Sequence, residues 1–577
     1  MESRAKAQKS QSDLKQNVPA GYQVLTEGQA QILYKEEKLQ ADENNMIKTG
    51  KGKRQANDQN DVRGTVFYNP VQEFNRDFSI LAIREFAKLK KEEREKKGRD
   101  FQGISILEAL AATGLRSVRY MKEIQPVKLL ANDIDPTATE LMKKNFDFNG
   151  IDEKIYQIAT EDAIDVMNLQ RRQKTFFDVV DLDPYGTAVP FLESALNSLA
   201  NGGLLAVTFT DMAVLCARNP QVTFYKYGGS PHNKRYCHEM ALRLVLHMIS
   251  EMASRQQRYI EPLISLTVDF YVRLFIRVHD GAQKCHSAIT KYSHVFQCLD
   301  CESFWQLPFG VHMEQEIKRD EKGHVIDKKT HKKGGSQYEE HRKKDKEEEI
   351  KGESKIIDKY QISRLTVPNR CTVCEGPIAM GGPIWNQKIH DVNFAQRLLE
   401  VSRKNSDKKM PEEQKEVKLG TSKRIEAILS AIIDEDVCGD QPLSFDFSQI
   451  ASSLKSQNPK KNELFTAFKS LGYNLTQTYY EPKLYKTNAP PEVIYDIFKA
   501  FKTQDVKNDQ QQLFKNIHLS SFAHRILSAP IKHQPNFVEE IVEGQEPKDK
   551  KKVGKKRYLP NPQPNWGPKA RATGNNK

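Results

Sequence analysis

"DVVDLDPYGTAVPF" (residues 178–191) is the stretch that decides how this chain reads. An apolar, β-branched run takes on Asp181 and Asp183 and then stops at Pro184-Tyr185-Gly186, as a buried strand does at its carboxyl end. A carboxylate placed there carries a solvation cost unless a partner or a ligand uses it. A capped turn is the structural account of the same residues. The helical pattern "VPFLESALNSLA" behind it makes the unit strand–turn–helix, one piece of a parallel α/β sheet.

The same unit repeats on both sides. "ISILEALAA" (104–112) reads as the first strand with "GLRSVRYMKEI" as its helix. "KLLANDID" reads as the second, followed by "PTATELMKKNFDFNG" with Pro136 near the first turn and Gly150 past the end. "GGLLAVTFTD" is a further strand and "YCHEMALRLVLHMISEMASRQQ" a long helix. "PLISLTVDFYVRLFIRVHDG" (262–281) then gives two strands with no helix between them, the pattern of a closing antiparallel strand. The expected fold is α/β over residues 56–284: a Rossmann-like, mostly parallel sheet ending in an antiparallel strand. Residues 1–55 are expected to form a flexible arm, 285–540 a smaller α+β C-terminal domain, and 541–577 a basic, Pro/Asn-rich tail. The segment 314–360 is dense in both charge signs and poor in apolar residues, so it is expected not to order itself and reads as an insertion.

At 577 residues the chain exceeds one hydrophobic core. A net charge of +13 favours a polyanionic partner, although lysine-rich tails alone account for such an excess. Eight cysteines are too few for a disulfide framework at this length, which points to a reducing compartment. No apolar stretch approaches the roughly 18 residues of a membrane span, so no membrane partner is expected. The start, "MESRAKAQKSQSDLK", lacks the apolar segment of a secretory signal, while its basic, serine-containing composition leaves a mitochondrial pool open. "KDKKKVGKKR" (548–557) reads as a nuclear localisation or nucleic-acid-binding patch, which makes the nucleus the expected compartment.

Ligands of open α/β sheets bind outside the carboxyl ends of the strands. There the chain places the small residues Ala111 to Gly114, then Asp133, then Asp162 with Ala163. Each acid singly suits a helix cap; three sites in successive units point to a nucleoside-containing cofactor. An exocyclic nucleobase amine is a weak nucleophile because its lone pair is delocalised into the ring. A carboxylate that accepts its N–H and takes up the proton, a rigid proline and a stacking ring answer that problem, and Asp183, Pro184 and Tyr185 supply them in order. Just before the sheet, "VFYNPVQEFNRDFS" (66–79) combines four aromatics with Arg76, a candidate bidentate partner for a cofactor carboxylate. Cys298-x-x-Cys301 and Cys371-x-x-Cys374 have the spacing of a closed four-thiolate zinc site, with free buried cysteines as the alternative. Cys237 does not read as a nucleophile for pyrimidine C5, because it opens a long helix remote in sequence from Asp183.

Taken together, "FYNPVQEFNRDFS", "LEALAATGLRSVRY", "ANDIDP", "DLDPYG", "YGGSPHNKRYCHE" and "KTNAP" (486–490) closely resemble the tRNA (guanine-26-N2)-dimethyltransferase family over roughly residues 60–540. The resemblance implies a class I methyltransferase fold, S-adenosyl-L-methionine as cofactor, tRNA as partner, and methyl transfer to guanine N2. It also implies Arg76, Arg116, Asp133, Ile134, Asp162 and Ala163 as cofactor contacts and Asp183 as the catalytic carboxylate, with Phe67 and Tyr185 flanking the guanine. A non-catalytic tRNA-binding scaffold on the same fold, and a methyltransferase acting on protein side-chain amides, are the rival readings.

Overall fold

A computed structural model describes residues 18–38, 46–49, 52–55, 62–64, 66, 68–319, 325–332, 353–364, 367–407, 411 and 417–538. Phe67 and the basic run 548–557 lie outside the described residues.

The chain enters through a hairpin of β1 (Gln23–Glu27) and β2 (Ala30–Tyr34) and a long helix α1 (Glu73–Lys96). The alternating units follow: β3 (Ser105–Glu108), α2 (Leu115–Arg119), β4 (Lys128–Asn132), α3 (Pro136–Phe148), β5 (Tyr156–Ala159), α4 (Ala163–Gln173), β6 (Phe177–Leu182), α5 (Val189–Ser198) and β7 (Leu199–Phe209). After α6 (Cys237–Arg255), β8 (Arg258–Val268) and β9 (Tyr271–Asp280) close the sheet. Its order is β8-β9-β7-β6-β3-β4-β5. β7, β6, β3, β4 and β5 run parallel, and β9 pairs antiparallel with both β7 and β8. The expected mostly parallel sheet with an antiparallel end is therefore what forms. Strand order reverses between β3 and β6, which opens a crevice at their carboxyl ends.

Beyond residue 285, the strands Tyr292–Cys298, Phe304–Pro308 and Ile378–Trp385 form an antiparallel sheet that carries the cysteine pairs at its ends. Helices Val392–Ser406 and Ser422–Glu435 pack into the same core as one face of the main sheet, with Phe394, Leu398 and Ile425 joining Phe74, Phe78 and Ile264. Packing is thus continuous across the expected domain boundary at 284/285. Among the described residues no helix is long and apolar enough to cross a membrane.

Two expectations are corrected. The stretch 1–55 is not an unattached arm throughout, because the β1–β2 hairpin buries Glu27 against Arg76 and Arg119. A buried carboxylate paired with two guanidinium groups anchors a segment whose apolar content alone is modest. The charged segment 314–360 also carries order: Gly310–Arg319, Val325–Lys332 and Glu353–Ile362 form a three-stranded antiparallel sheet. Main-chain ladders up to ten residues long satisfy backbone groups whatever the side-chain charge, and Gln315 and Ile317 turn inward.

Candidate active site

The turn after β6 is held from several sides. Pro184 is buried, Gly186 sits at φ +75°, and its N–H donates to Thr210 Oγ1 at 2.9 Å while its carbonyl accepts from Thr210 N at 2.7 Å. The left-handed backbone at Gly186 explains a glycine there, where the turn reverses away from the strand. Asp183 keeps 23% of its side chain accessible and Tyr185 46% of its surface, so both face the crevice.

Beneath the turn lies a buried charge network. Arg116, 5% exposed, contacts Asp183 through Nη2, Asp181 at 3.5 Å and Ser79 Oγ at 3.0 Å through Nη1, and Glu108 at 3.8 Å through Nε. Asp181 is fully buried and also meets Arg273 at 2.8 Å and the Tyr120 hydroxyl. Burial alone would raise the Asp181 carboxyl, but Arg273 and Arg116 hold it below its ordinary value. Ser79 Oγ accepts from both Arg116 and Arg273 while donating to the Asn75 carbonyl at 2.7 Å. The two strand-end carboxylates therefore separate in role: Asp181 is consumed by the scaffold and Asp183 stands at its outer edge.

Glu108, at the end of β3, was missed by sequence reasoning. Burial pushes its carboxyl up to about 8 against the opposing effect of Arg116, and Ser117 Oγ donates to it. Tyr271 was missed as well: its hydroxyl is buried without a hydrogen-bond partner among the described residues, and burial with the carboxylates of Asp269 and Asp183 pushes the phenol well above its ordinary value. The polar pattern inside an apolar strand was the available signal for both.

The other expected contacts distribute along the same edge. Asp133 accepts from Ala112 N at 2.8 Å and from Asp135 N at 3.0 Å, which steers its carboxylate across the β3 turn. The turn itself is tight: Ala112 has φ +47°, and a Cβ on Gly114 (φ +72°) would sit 2.5 Å from Met142. Ile134 is 58% exposed beside Asp133. Asp162 caps α4 by accepting from Ile164 N at 2.7 Å, with Ala163 buried next to it. Asp162 is thus a helix cap and a strand-end acid at once.

Arg76 departs from expectation. Its bidentate partner is Glu27, at 2.7 and 2.5 Å, and it also donates to the Asn69 carbonyl and lies over the Tyr68 ring. Arg119 carries the network outward to Glu27 (3.0 Å), Asp77 (2.7 Å) and Glu123 (2.8 Å), and Asp77 accepts from Thr421 N and Oγ1. Sequence periodicity held no sign of Glu27, because the pairing spans 49 residues.

Two further motifs meet away from the crevice. Lys486 of "KTNAP" is 2% exposed and bridges Glu239 of "YCHE" at 2.9 Å and Glu435 at 2.8 Å. That contact joins α6 to the C-terminal helices. The four cysteines also converge: Cys298 and Cys374 sulfurs are 3.5 Å apart, Cys301 and Cys371 are 3.7 Å apart, and all four side chains are buried.

The family model described as N2,N2-dimethylguanosine tRNA methyltransferase matches residues 47–499. The chain belongs to that family. A member of the N2,N2-dimethylguanosine tRNA methyltransferase family from Drosophila melanogaster, named tRNA (guanine(26)-N(2))-dimethyltransferase, is 33% identical over 89% of this chain and 86% of its own length. A Saccharomyces cerevisiae relative with the same name and the designation mitochondrial is 30% identical over 88% and 89% of the two chains. In fold the chain is similar to Trm1 from Pyrococcus horikoshii, solved in complex with S-adenosyl-L-methionine: TM-score 0.55, 24% identity, 82% of this chain and 99% of that one.

Proposed function

We infer that this protein transfers methyl groups from S-adenosyl-L-methionine to the exocyclic N2 of guanine 26 in tRNA, giving N2-methyl- and N2,N2-dimethylguanosine. The observation that carries the reading is the Asp183-Pro184-Tyr185-Gly186 turn, clamped at the strand-order reversal of a chain in this family. A tRNA partner accords with the net charge of +13.

The crevice suits the cofactor by its chemistry: a strand-end carboxylate at Asp133 for ribose hydroxyls, small residues at Ala111 and Ala112 for close approach, and an exposed apolar Ile134 beside them. Asp162 and Ala163 are assigned to the nucleobase end and Arg116 to the carboxylate end, since Glu27 already takes the bidentate face of Arg76. When bound, S-adenosyl-L-methionine supplies an electrophilic methyl. Asp183 accepts the N–H of the guanine amine, which favours a pyramidal nitrogen and gives the proton a destination. Pro184 keeps that carboxylate in place, Tyr185 stacks on the base, and Phe67 is assigned to its other face. Extruding the base costs a few kcal/mol, offset by contacts to the tRNA backbone. Alignment of amine and methyl accounts for much of the acceleration.

The four cysteines fit one structural zinc ion. A tetrahedron with Zn–S of about 2.3 Å has edges of about 3.8 Å, close to the 3.5 and 3.7 Å separations. Backbone N–H groups of Cys301 and Val373 donate to Cys298 and Cys371 sulfur, which stabilises thiolates there. A nuclear site of action with a mitochondrial pool follows from the basic run 548–557 and the basic N-terminus.

The test is transfer of labelled methyl from the cofactor to a tRNA transcript, followed by nucleoside analysis. Both methylated guanosines should appear, and a transcript with adenosine at position 26 should stay unlabelled. Label in protein, or none with tRNA bound, would support the amide-methylating or the scaffold reading instead.

A further inference from the structure

Cys216 and Cys237 meet where the segment after β7 packs on the start of α6. Cys216 follows the short helix Met212–Leu215 behind β7, and Cys237 is the first residue of the 19-residue helix α6. Their sulfurs and a ring nitrogen of His238 lie within 4.8 Å of one another, and all three side chains are partly exposed. Cys237 and His238 line a cavity of about 520 Å³ together with Lys234, Arg235 and Tyr480, which gives a small solute access to the sulfur.

The surroundings divide the two thiols. Among the described residues no side chain caps the N-terminus of α6; the Cys237 N–H donates to the Lys234 carbonyl at 2.9 Å, and the positive end of the helix favours a thiolate on Cys237. The Cys216 thiol beside it, then the backbone N–H groups of His238 and Cys237 and the Arg235 charge, draw Cys237 down against the effect of burial. Hydrogen bonding to Cys237, together with burial, pushes Cys216 up. One thiolate next to one protonated thiol is the arrangement needed for a nucleophile and its resolving partner.

We propose that Cys216 and Cys237 form a redox pair that hydrogen peroxide converts to a disulfide. The Cys237 thiolate attacks one peroxide oxygen, the O–O bond breaks, and Cys237 becomes a sulfenic acid while the departing hydroxide takes a proton to leave as water. Cys216 sulfur then attacks Cys237 sulfur, the S–O bond breaks, and a second water leaves with the Cys216 proton. Two thiols are oxidised and one peroxide is reduced to two waters.

The bridge bears on the catalytic turn through short links. Cys216 lies in the segment that starts at Asp211, which accepts from the Tyr227 hydroxyl at 2.6 Å; that hydroxyl also meets Thr187 Oγ1 at 2.9 Å, next to Gly186. A disulfide needs the sulfurs about 2.05 Å apart, so closing it draws this segment towards α6 and shifts the turn that holds Asp183 and Tyr185. Oxidation therefore lowers methyl transfer reversibly. That consequence alone rests on the methyl-transfer reading.

The test treats the full-length protein with hydrogen peroxide, alkylates remaining thiols, and maps peptides without reduction by mass spectrometry. A Cys216–Cys237 cross-linked peptide, lighter by two hydrogens and lost on reduction, is expected, with metal content unchanged. Methyl transfer should fall on oxidation and return on reduction. Cys216→Ser should leave a dimedone-reactive sulfenic acid on Cys237, which also covers the case in which Cys237→Ser does not fold. Absence of the bridge, a bridge to another cysteine, or a bridged protein at full rate overturns the proposal. So does a metal equivalent lost specifically on Cys216→Ser, which would mark a metal site. Peptide mapping needs no activity, so an inactive parent protein that forms the bridge counts against the methyl-transfer reading and not against the pair.

Discussion

Arg116 reaches Asp183 with one guanidinium nitrogen while its other terminal nitrogen stays 3.0 Å from Ser79 and 3.5 Å from Asp181. The residue expected as a cofactor contact therefore also sets the direction of the expected catalytic carboxylate, and the two assignments are coupled.

Asp183→Asn keeps the shape of the turn but removes the charge that receives the amine proton. A positioned proton acceptor contributes typically about 10²–10⁴ in rate, so single-turnover methyl transfer should fall at least about a hundredfold by that principle. Affinity for tRNA should change far less. Both methyl additions should suffer, since a monomethylated amine still presents one N–H. A variant with near-parental rates would reduce Asp183 to a capped turn.

Arg116→Ala leaves the buried Asp181 carboxylate with Arg273 as its remaining cation. Removing one partner from a buried pair costs about 3–5 kcal/mol, so the unfolding midpoint in denaturant should drop markedly, with Arg116→Lys less affected because it retains the charge. Equal midpoints for the parent and Arg116→Ala would show that Arg273 alone suffices for Asp181.

Glu108 gives stability a pH dependence with a defined sign. Its folded-state value, about 8, lies above the ordinary 4.5, so the native protein holds a proton that the unfolded chain releases. The associated stability is complete below pH 4.5 and is lost as pH rises towards about 8. Glu108→Gln cannot ionise and should gain on the parent across that window. Thermal scans in matched buffers that show a constant difference would rule this out.

Cys371→Ser should release one equivalent of zinc and lower the melting temperature, with activity lost only through unfolding. Elemental analysis that finds no zinc in a fully active parent would remove the metal assignment.

Neutralising the lysines of 548–557 should weaken tRNA binding and flatten its salt dependence. For every phosphate that the variant no longer neutralises, the slope of log K against log salt falls by roughly 0.7–0.9. An unchanged slope would assign that run to localisation alone.

Much of the architecture was legible because its signals are local. Apolar β-branched runs, helical patterns and the abrupt Asp183-Pro184 stop are written in consecutive residues, so β6 and its turn could be placed without knowing their neighbours. The cysteine pairs were legible for the same reason, since ligand spacing survives whatever chain lies between them. Glu108 escaped notice because a strand pattern shows which face a side chain takes, not how dry that face becomes.

By itself, then, the sequence determined the order of strands and helices of the main sheet, the chemistry at its strand ends and the thiol set, but neither the β1–β2 hairpin nor the sheet within 310–362. Tertiary structure alone decided who meets whom: Glu27 takes the bidentate face of Arg76, Lys486 closes on Glu239, and Cys216 finds Cys237. The physical reason is that burial gives these pairings their strength, while their sequence separations carry no periodic trace. A guanidinium or thiol selects its partner only after the core has removed water and brought distant segments within reach.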